Sequence, residues 1–550
     1  MEKIKDICDK NYYKNGQNST VIKNDLAEIH FKIFVHSVLI CLISVAYFWD
    51  YKDKVTHKLP WKKVCVPLIY MLSVVIVPLS IFLLSVFAIV RKIAHVYLKL
   101  KYGENYGGLL CRGDVVWAIE GSSRNIINTV LLIDAKDKTI DNIRENIINL
   151  MKKKFYDKNC LKITGIRQNE MGYTFLLKNQ YGVDEGVSFF PDFIQITNTD
   201  EMEDVIGHYS NVPMPKNDRA MWHILITKQP LKWKGKDNFV LLLRVHHTVG
   251  DGSALLRTFL QCFSDDIPEN TQIQQAKKTV SDYVKIFIEG FYIILMSFAF
   301  TINQNMINHD DASILHGKEL SGEKITVWFV EENVDLVNAV KNVKKKLPNI
   351  RFSEVLVSAI SYGVLGYFKK KSESVPQCAT AIIPVTVSGK EATMENTFSF
   401  FLMKTPITIN ESEFRMLKRL EKVKYCTQSM RNSIDCQVNY WFLNVITSVL
   451  PEPVTRALLN LNKCTMGISN LPGSKKITIF NGCVLTDVIF WVPNRGRTGL
   501  GFSIFTYDNR FQLGLIVDKA LISCKEEASS ILNNMCEYII NLHKEVELME

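Results

Sequence analysis

The chain has 550 residues, 47% hydrophobic and 22% charged, which is too apolar for disorder and too long for one ordinary domain. The net charge of +10 includes short lysine runs at 152–154, 344–346 and 369–371, but no zinc-finger pattern or aromatic-flanked RNA-binding signature accompanies them, so nucleic acid is excluded as a partner. Thirteen cysteines, spread from Cys8 to Cys536 with no C-x-x-C pair, exclude a disulfide framework and a zinc cluster and favour a reducing compartment.

In chain order, the first apolar run is 33–48, which as a helix reaches about 24 Å, short for a bilayer core of about 30 Å. Residues 64–90 follow, 27 residues without a charge, bracketed by Lys62 and Lys63 before and Arg91 and Lys92 after. A helix of that length is about 40 Å long and reads as a membrane segment. A signal peptide would be shorter and nearer the start. Basic residues flank both runs, so the positive-inside rule gives no orientation.

From about residue 105 the pattern is mixed α/β. Residues 125–133 read as a strand and 140–152 as an amphipathic helix. Residues 238–245 (NFVLLLRV) form a near-continuous apolar run, the signature of a strand buried on both faces. A helix is expected over 253–263, with Ser253 as its N-cap. Residues 290–302 are apolar but too few to span a bilayer, and a domain boundary is placed near 305–320. Beyond it, 353–367 reads as a helix, 379–387 and 398–408 as strands, and 475–518 as several strands separated by turns.

The segment that carries chemistry is His246-His247-Thr248-Val249-Gly250-Asp251-Gly252, between the apolar strand and the helix. A rigid strand end fixes a side chain while the loop after it leaves that side chain accessible. A histidine placed there can act as general base toward a hydroxyl. Asp251 can pin the loop, and Gly250 and Gly252 suit a tight backbone path. A lone buried histidine is usually structural; a metal site would need a third ligand, and a phosphate loop more glycines and a lysine. None of these accounts for two histidines, an aspartate and a glycine at this spacing.

The segment HHTVGDG resembles the HHxxxDG motif of the wax ester synthase / diacylglycerol acyltransferase family, of the chloramphenicol-acetyltransferase-like fold. Asp218-Arg219-Ala220-Met221-Trp222 is similar to the family's D-R-x-P-L-W segment, and Ser469-Asn470-Leu471-Pro472-Gly473 to its S-N-x-P-G motif. The resemblance covers about 105–540. It implies two sequential α/β lobes with mixed sheets, 106–305 and 306–550, behind an N-terminal membrane-anchoring helical region, 1–105. The reaction would be transfer of a fatty acyl group from acyl-CoA to a lipid hydroxyl, a long-chain alcohol or diacylglycerol.

In that reading the catalytic residues are His247 as base, His246 as loop support and Asp251 as brace. Gly252 would hold the loop's shape, Trp222 would pack near a substrate channel, and Ser469 or Asn470 would support the oxyanion or the tunnel wall. No metal or cofactor is implied beyond acyl-CoA as co-substrate. The location would be a membrane, the endoplasmic reticulum or alternatively the plasma membrane. Ser353-Glu354 stands where bacterial members carry an Asn-Asp pair. The rival reading is an inactive, membrane-anchored lipid-binding or scaffold protein of the same fold.

Overall fold

The computed structural model describes residues 62–119, 124–265, 313–371, 374–386, 394–409, 415–431, 433, 435–459 and 464–549. The apolar stretches 33–48 and 290–302 and part of the 305–320 boundary lie outside them. Two compact units are distinguished, and nearly all the described chain belongs to the larger one, which comprises Val86–Ile286 and Phe300–Glu550.

The first described element is helix α1, Lys62–Tyr102, of 41 residues. Over 79–90 its apolar side chains are half-buried or exposed, Phe82 at 64% and Ile89 at 62%. Among the described residues it is the one helix long and apolar enough to cross a membrane. It does not stop at the expected basic bracket. Arg91 donates to the Leu110 carbonyl at 2.9 Å and lies over the Tyr173 ring, while Ala94 and Leu98 are fully buried. The last turns of α1 therefore belong to the folded body, where the sequence had placed everything up to residue 105 outside it.

In chain order the strands are β1 (Tyr106–Leu109), β2 (Ile126–Asp134), β3 (Ile166–Glu170), β4 (Tyr173–Leu177), β5 (Val187–Phe189), β6 (Trp222–Ile226), β7 (Leu231–Trp233) and β8 (Lys236–His246). They continue with β9 (Lys324–Val330), β10 (Cys378–Thr386), β11 (Phe398–Pro406), β12 (Met466–Leu471), β13 (Thr478–Ile479), β14 (Cys483–Trp491), β15 (Leu500–Tyr507) and β16 (Arg510–Asp518). One mixed sheet runs β13-β14-β2-β8-β6-β5, with β7 on the end of β8; the other runs β11-β10-β12-β15-β16-β9. A small sheet, β1-β4-β3, meets the end of α1.

The first sheet is covered on both faces, which is why β2 and β8 read as apolar runs and not as alternation. Leu131, Ile133, Leu241 and Val245 face one core with helix α2 (Ile140–Met151) and helix α3 (Gly252–Phe263). Val130, Leu132, Val240 and Leu242 face another core that includes Met202 and Ile206. The lobes are not sequential as expected. The hairpin β13–β14, from the second half, completes the first sheet by pairing β14 antiparallel with β2. The second sheet packs against helix α4, Phe352–Lys371, and the C-terminal helix α5, Lys525–Glu547.

Candidate active site

The two histidines sit where β8 ends. The His246 amide donates to the Met221 carbonyl at 2.8 Å and the His247 amide to the Asn125 carbonyl at 2.9 Å, so the neighbouring strand starts hold the loop on both sides. His246 is fully buried, whereas His247 keeps 8% of its surface, so of the two only His247 retains any exposure. The Thr248 amide donates to Nδ1 of His246 at 3.2 Å, which makes that nitrogen an acceptor and puts the His246 proton on Nε2. Its ring is turned into loop structure.

His247 is held from the other half of the chain. Its Nδ1 lies 3.0 Å from Oδ1 of Asn396, a residue just before β11. The Asn396 amide nitrogen donates to the Asp114 carboxylate at 2.8 Å and to the His247 carbonyl at 2.7 Å. Both partners are acceptors, so the amide cannot be turned round, and its oxygen must face Nδ1. Nδ1 therefore carries the proton, and the lone pair sits on Nε2. Asp114 is buried and paired with Lys162 at 2.6 Å, and Lys162 also donates to the Val249 carbonyl. Burial still raises the Asp114 carboxyl above its ordinary value.

Trp117 stacks on the His247 ring, with centroids 3.7 Å apart and planes at 14°, and the Arg495 guanidinium lies 5.2 Å from the Trp117 centroid. Burial is the largest influence on His247 and lowers it to about 4; Arg495 acts in the same direction, while Asp251 and the Asn396 contact act against it. The imidazole is thus neutral across the physiological range, well below the ordinary histidine value.

Asp251 does not touch the imidazole. It caps α3, one oxygen accepting from the Ala254 amide at 2.9 Å and from Ser253 Oγ at 2.7 Å. The other accepts from the Thr397 amide at 3.2 Å, beside Asn396. The N-cap is accordingly Asp251 and not Ser253. Neither Gly250 nor Gly252 takes a positive φ. At Gly252 the missing side chain makes room for Leu471, since a Cβ would meet its Cδ1 at 3.1 Å.

The other expected residues are placed less centrally. Trp222 is buried, donates from Nε1 to the Ile163 carbonyl at 2.9 Å, and lines an apolar cavity of about 150 Å³ between the first sheet and α3. Ser469 is half-buried and Asn470 exposed on β12, and it is the next residue, Leu471, that reaches this cavity. Gly473 belongs to close packing: a Cβ there would fall 1.5 Å from the Thr506 carbonyl oxygen. Glu354 is committed elsewhere, accepting from the Arg351 amide, Thr427 and Arg431 at 2.8 to 3.2 Å. It braces the start of α4 against the neighbouring helix. Among the described residues, no three His, Cys, Asp or Glu side chains group as metal ligands do.

Asn396, Asp114, Lys162 and Trp117 escaped the sequence reading. Each is an isolated residue of a common type, and only long-range pairing brings them to the histidine. The one available signal was that Asn396, like His247, adjoins a strand end.

Comparison with known proteins gives a consistent picture. The WS/DGAT C-terminal domain matches residues 394–537. The O-acyltransferase WSD of Acinetobacter baylyi is 20% identical over 351 residues, 57% of this chain and 70% of that protein. Wax ester synthase/diacylglycerol acyltransferase 4 of Arabidopsis thaliana is 21% identical over 373 residues, 58% of this chain and 69% of its own. Among solved structures, the wax ester synthase/diacylglycerol acyltransferase of Marinobacter aquaeolei superposes with a TM-score of 0.53 at 15% identity, covering 79% of this chain and 99% of that one. The trichothecene 15-O-acetyltransferase of Fusarium sporotrichioides gives 0.56 at 11% identity, covering 79% and 94%.

Proposed function

The chain belongs to the wax ester synthase / diacylglycerol acyltransferase family and is an O-acyltransferase, and from that premise we propose that it moves a fatty acyl group from acyl-CoA to a lipid hydroxyl, with His247 as general base. The observation that carries the assignment is the fixed tautomer: Asn396 keeps the proton on Nδ1 and leaves the Nε2 lone pair for the alcohol. A neutral imidazole with a directed lone pair is what a base needs before the reaction starts.

In the proposed sequence, Nε2 accepts the hydroxyl proton as the alcohol oxygen attacks the thioester carbonyl. The C–O bond forms and the carbonyl electrons move onto oxygen. Collapse of the tetrahedral oxyanion breaks the C–S bond, and the thiolate takes the proton from Nε2, giving ester and free CoA. A thioester is already activated, so no metal is called for. As His247 becomes cationic, Asn396 Oδ1 supports Nδ1–H with a charge-assisted bond that is stronger than in the resting enzyme.

The apolar cavity behind α3 suits part of an acyl chain. At about 150 Å³ it offers room for roughly a benzene ring of carbon, so a long chain must extend beyond it or displace α3. Helix α1 fits membrane anchoring, which concentrates the enzyme where long-chain alcohols and diacylglycerol reside. The test is to incubate membranes carrying the protein with labelled acyl-CoA and a panel of long-chain alcohols and diacylglycerol. Ester formation abolished by His247→Ala supports the reading. No ester from any acceptor would favour the scaffold alternative.

A further inference from the structure

A second cavity, polar and of about 820 Å³, opens on the face of the first sheet away from α3. Its wall includes Arg124, which precedes the residue bonded to the His247 amide, and Asp218, three residues before the one bonded to the His246 amide. The crevice and the proposed base therefore share two chain segments.

Its charges are not all internally matched. Asp218 accepts from Arg124 Nε at 3.0 Å and from the Met214 amide. On the rim, Lys519 pairs with Glu323, and Lys525 with Glu203 and Asp204. Lys324 differs. The residue is only 5% exposed, its backbone is tied to Asn211, and its ammonium has no hydrogen-bond or ion-pair partner among the described residues. The carboxylate near it, Asp518, is occupied by the Ser321, Gly322 and Ala520 amides and by Ser321 Oγ. The other groups acting on it are Arg124, Arg244 and Asp218. Of these, Arg124 and Asp218 line the crevice with Lys324, whereas Arg244 donates to the Val212 and Pro213 carbonyls outside its wall, and Asp218 is already shared with Arg124. Burial lowers Lys324 to about 8, and the two arginines act in the same direction.

A mostly buried lysine whose ammonium faces a crevice without a partner of its own is placed to receive an anion there. We propose that this crevice is a phosphate-binding subsite, in which Lys324, with Arg124 beside it, receives the phosphorylated part of a substrate. Two sources share that chemistry: the nucleotide phosphates of acyl-CoA, which rests on the function proposed above, and the phosphate of a lipid headgroup.

The experiment uses the full-length protein in detergent and Lys324→Met, which keeps the volume of the side chain. With hexadecanol as acceptor, KM is measured for palmitoyl-CoA and for S-palmitoyl-pantetheine, which has no phosphate. Loss of one charge-assisted contact should raise KM for palmitoyl-CoA about tenfold or more and leave the pantetheine donor and kcat unchanged. In parallel, binding of free CoA, and of vesicles with and without phosphatidic acid, is compared between the two proteins. Weakened CoA binding identifies the nucleotide; weakened binding confined to phosphatidic-acid vesicles identifies the lipid phosphate. Unchanged binding of both probes overturns the subsite. If the wild type transfers no acyl group from palmitoyl-CoA, the proposed function fails, while the binding arms still decide this inference. A melting temperature at or above wild type is expected for Lys324→Met, because an unpaired charge has been removed. A clear drop would mean that the ammonium serves the fold, and would also overturn the proposal.

Discussion

Replacing Asn396 by Ala removes an acceptor from His247 Nδ1–H and donors from the Asp114 carboxylate and the His247 carbonyl, contacts of 3.0, 2.8 and 2.7 Å. At about 1 kcal/mol net per bond, the fold should lose about 3 kcal/mol. The catalytic loss is separate. The Nδ1 contact strengthens as the imidazole becomes cationic, a differential of about 1–2 kcal/mol, and without it the ring is free to carry its proton on Nε2, the wrong atom. Together these should lower kcat/KM about 100-fold, or about 2.7 kcal/mol, within the range for general-base catalysis. The assay is initial-rate esterification at limiting acyl-CoA, beside a thermal melt. Asn396→Asp separates orientation from bulk. One of its oxygens can still accept from Nδ1–H, but the other would face Asp114 and the His247 carbonyl, both acceptors, so the buried pair must take up a proton. Its activity should rise as pH falls from about 8 to about 6, whereas the wild type stays level there because His247 titrates near 4. A folded Asn396→Ala enzyme within threefold of wild type, or an Asn396→Asp profile matching wild type, would refute the orienting role.

His247→Ala should abolish transfer with expression and membrane association intact, whereas His246→Ala should act mainly by lowering the melting temperature; equal mild losses would move the chemistry elsewhere. For stability, the unfolded chain protonates His247 near 6.5 while the fold keeps it neutral to about 4, so the wild type should lose up to about 3 kcal/mol as pH falls through that window. His247→Gln should flatten that part of the curve in denaturant titrations. Asp251→Asn should reduce activity through the α3 cap and the Thr397 contact and, with the charge that raises His247 gone, move the acidic limb of the pH profile only further down; a limb that moved up would count against the brace. Deleting residues 1–85 should spare turnover of a short, soluble alcohol and reduce that of vesicle-borne acceptors. Deleting 1–102 should in addition cost about 4 kcal/mol of stability by removing Ala94, Leu98 and the Arg91 contact; equal melting temperatures for the two truncations would count against this.

The amino-acid sequence by itself determined whatever depends on neighbours along the chain. The run NFVLLLRV had to be a strand covered on both faces, because no alternation offers a wet side. The paired histidines had to lie at its end, and 27 uncharged residues had to form a helix of membrane-crossing length. Tertiary structure decided what depends on pairing across long separations. Apolar alternation in β14 is satisfied equally by either sheet, and only the assembled fold sends the hairpin back to β2. Arg91 and Lys92 looked like the end of a span, yet charge marks a boundary only where it meets water, and Arg91 meets the Leu110 carbonyl instead. Asn396 carries no periodic or compositional mark. It becomes informative once Asp114 and the His247 carbonyl fix its amide, because a hydrogen-bond direction is a property of three partners in space and not of one residue in a chain.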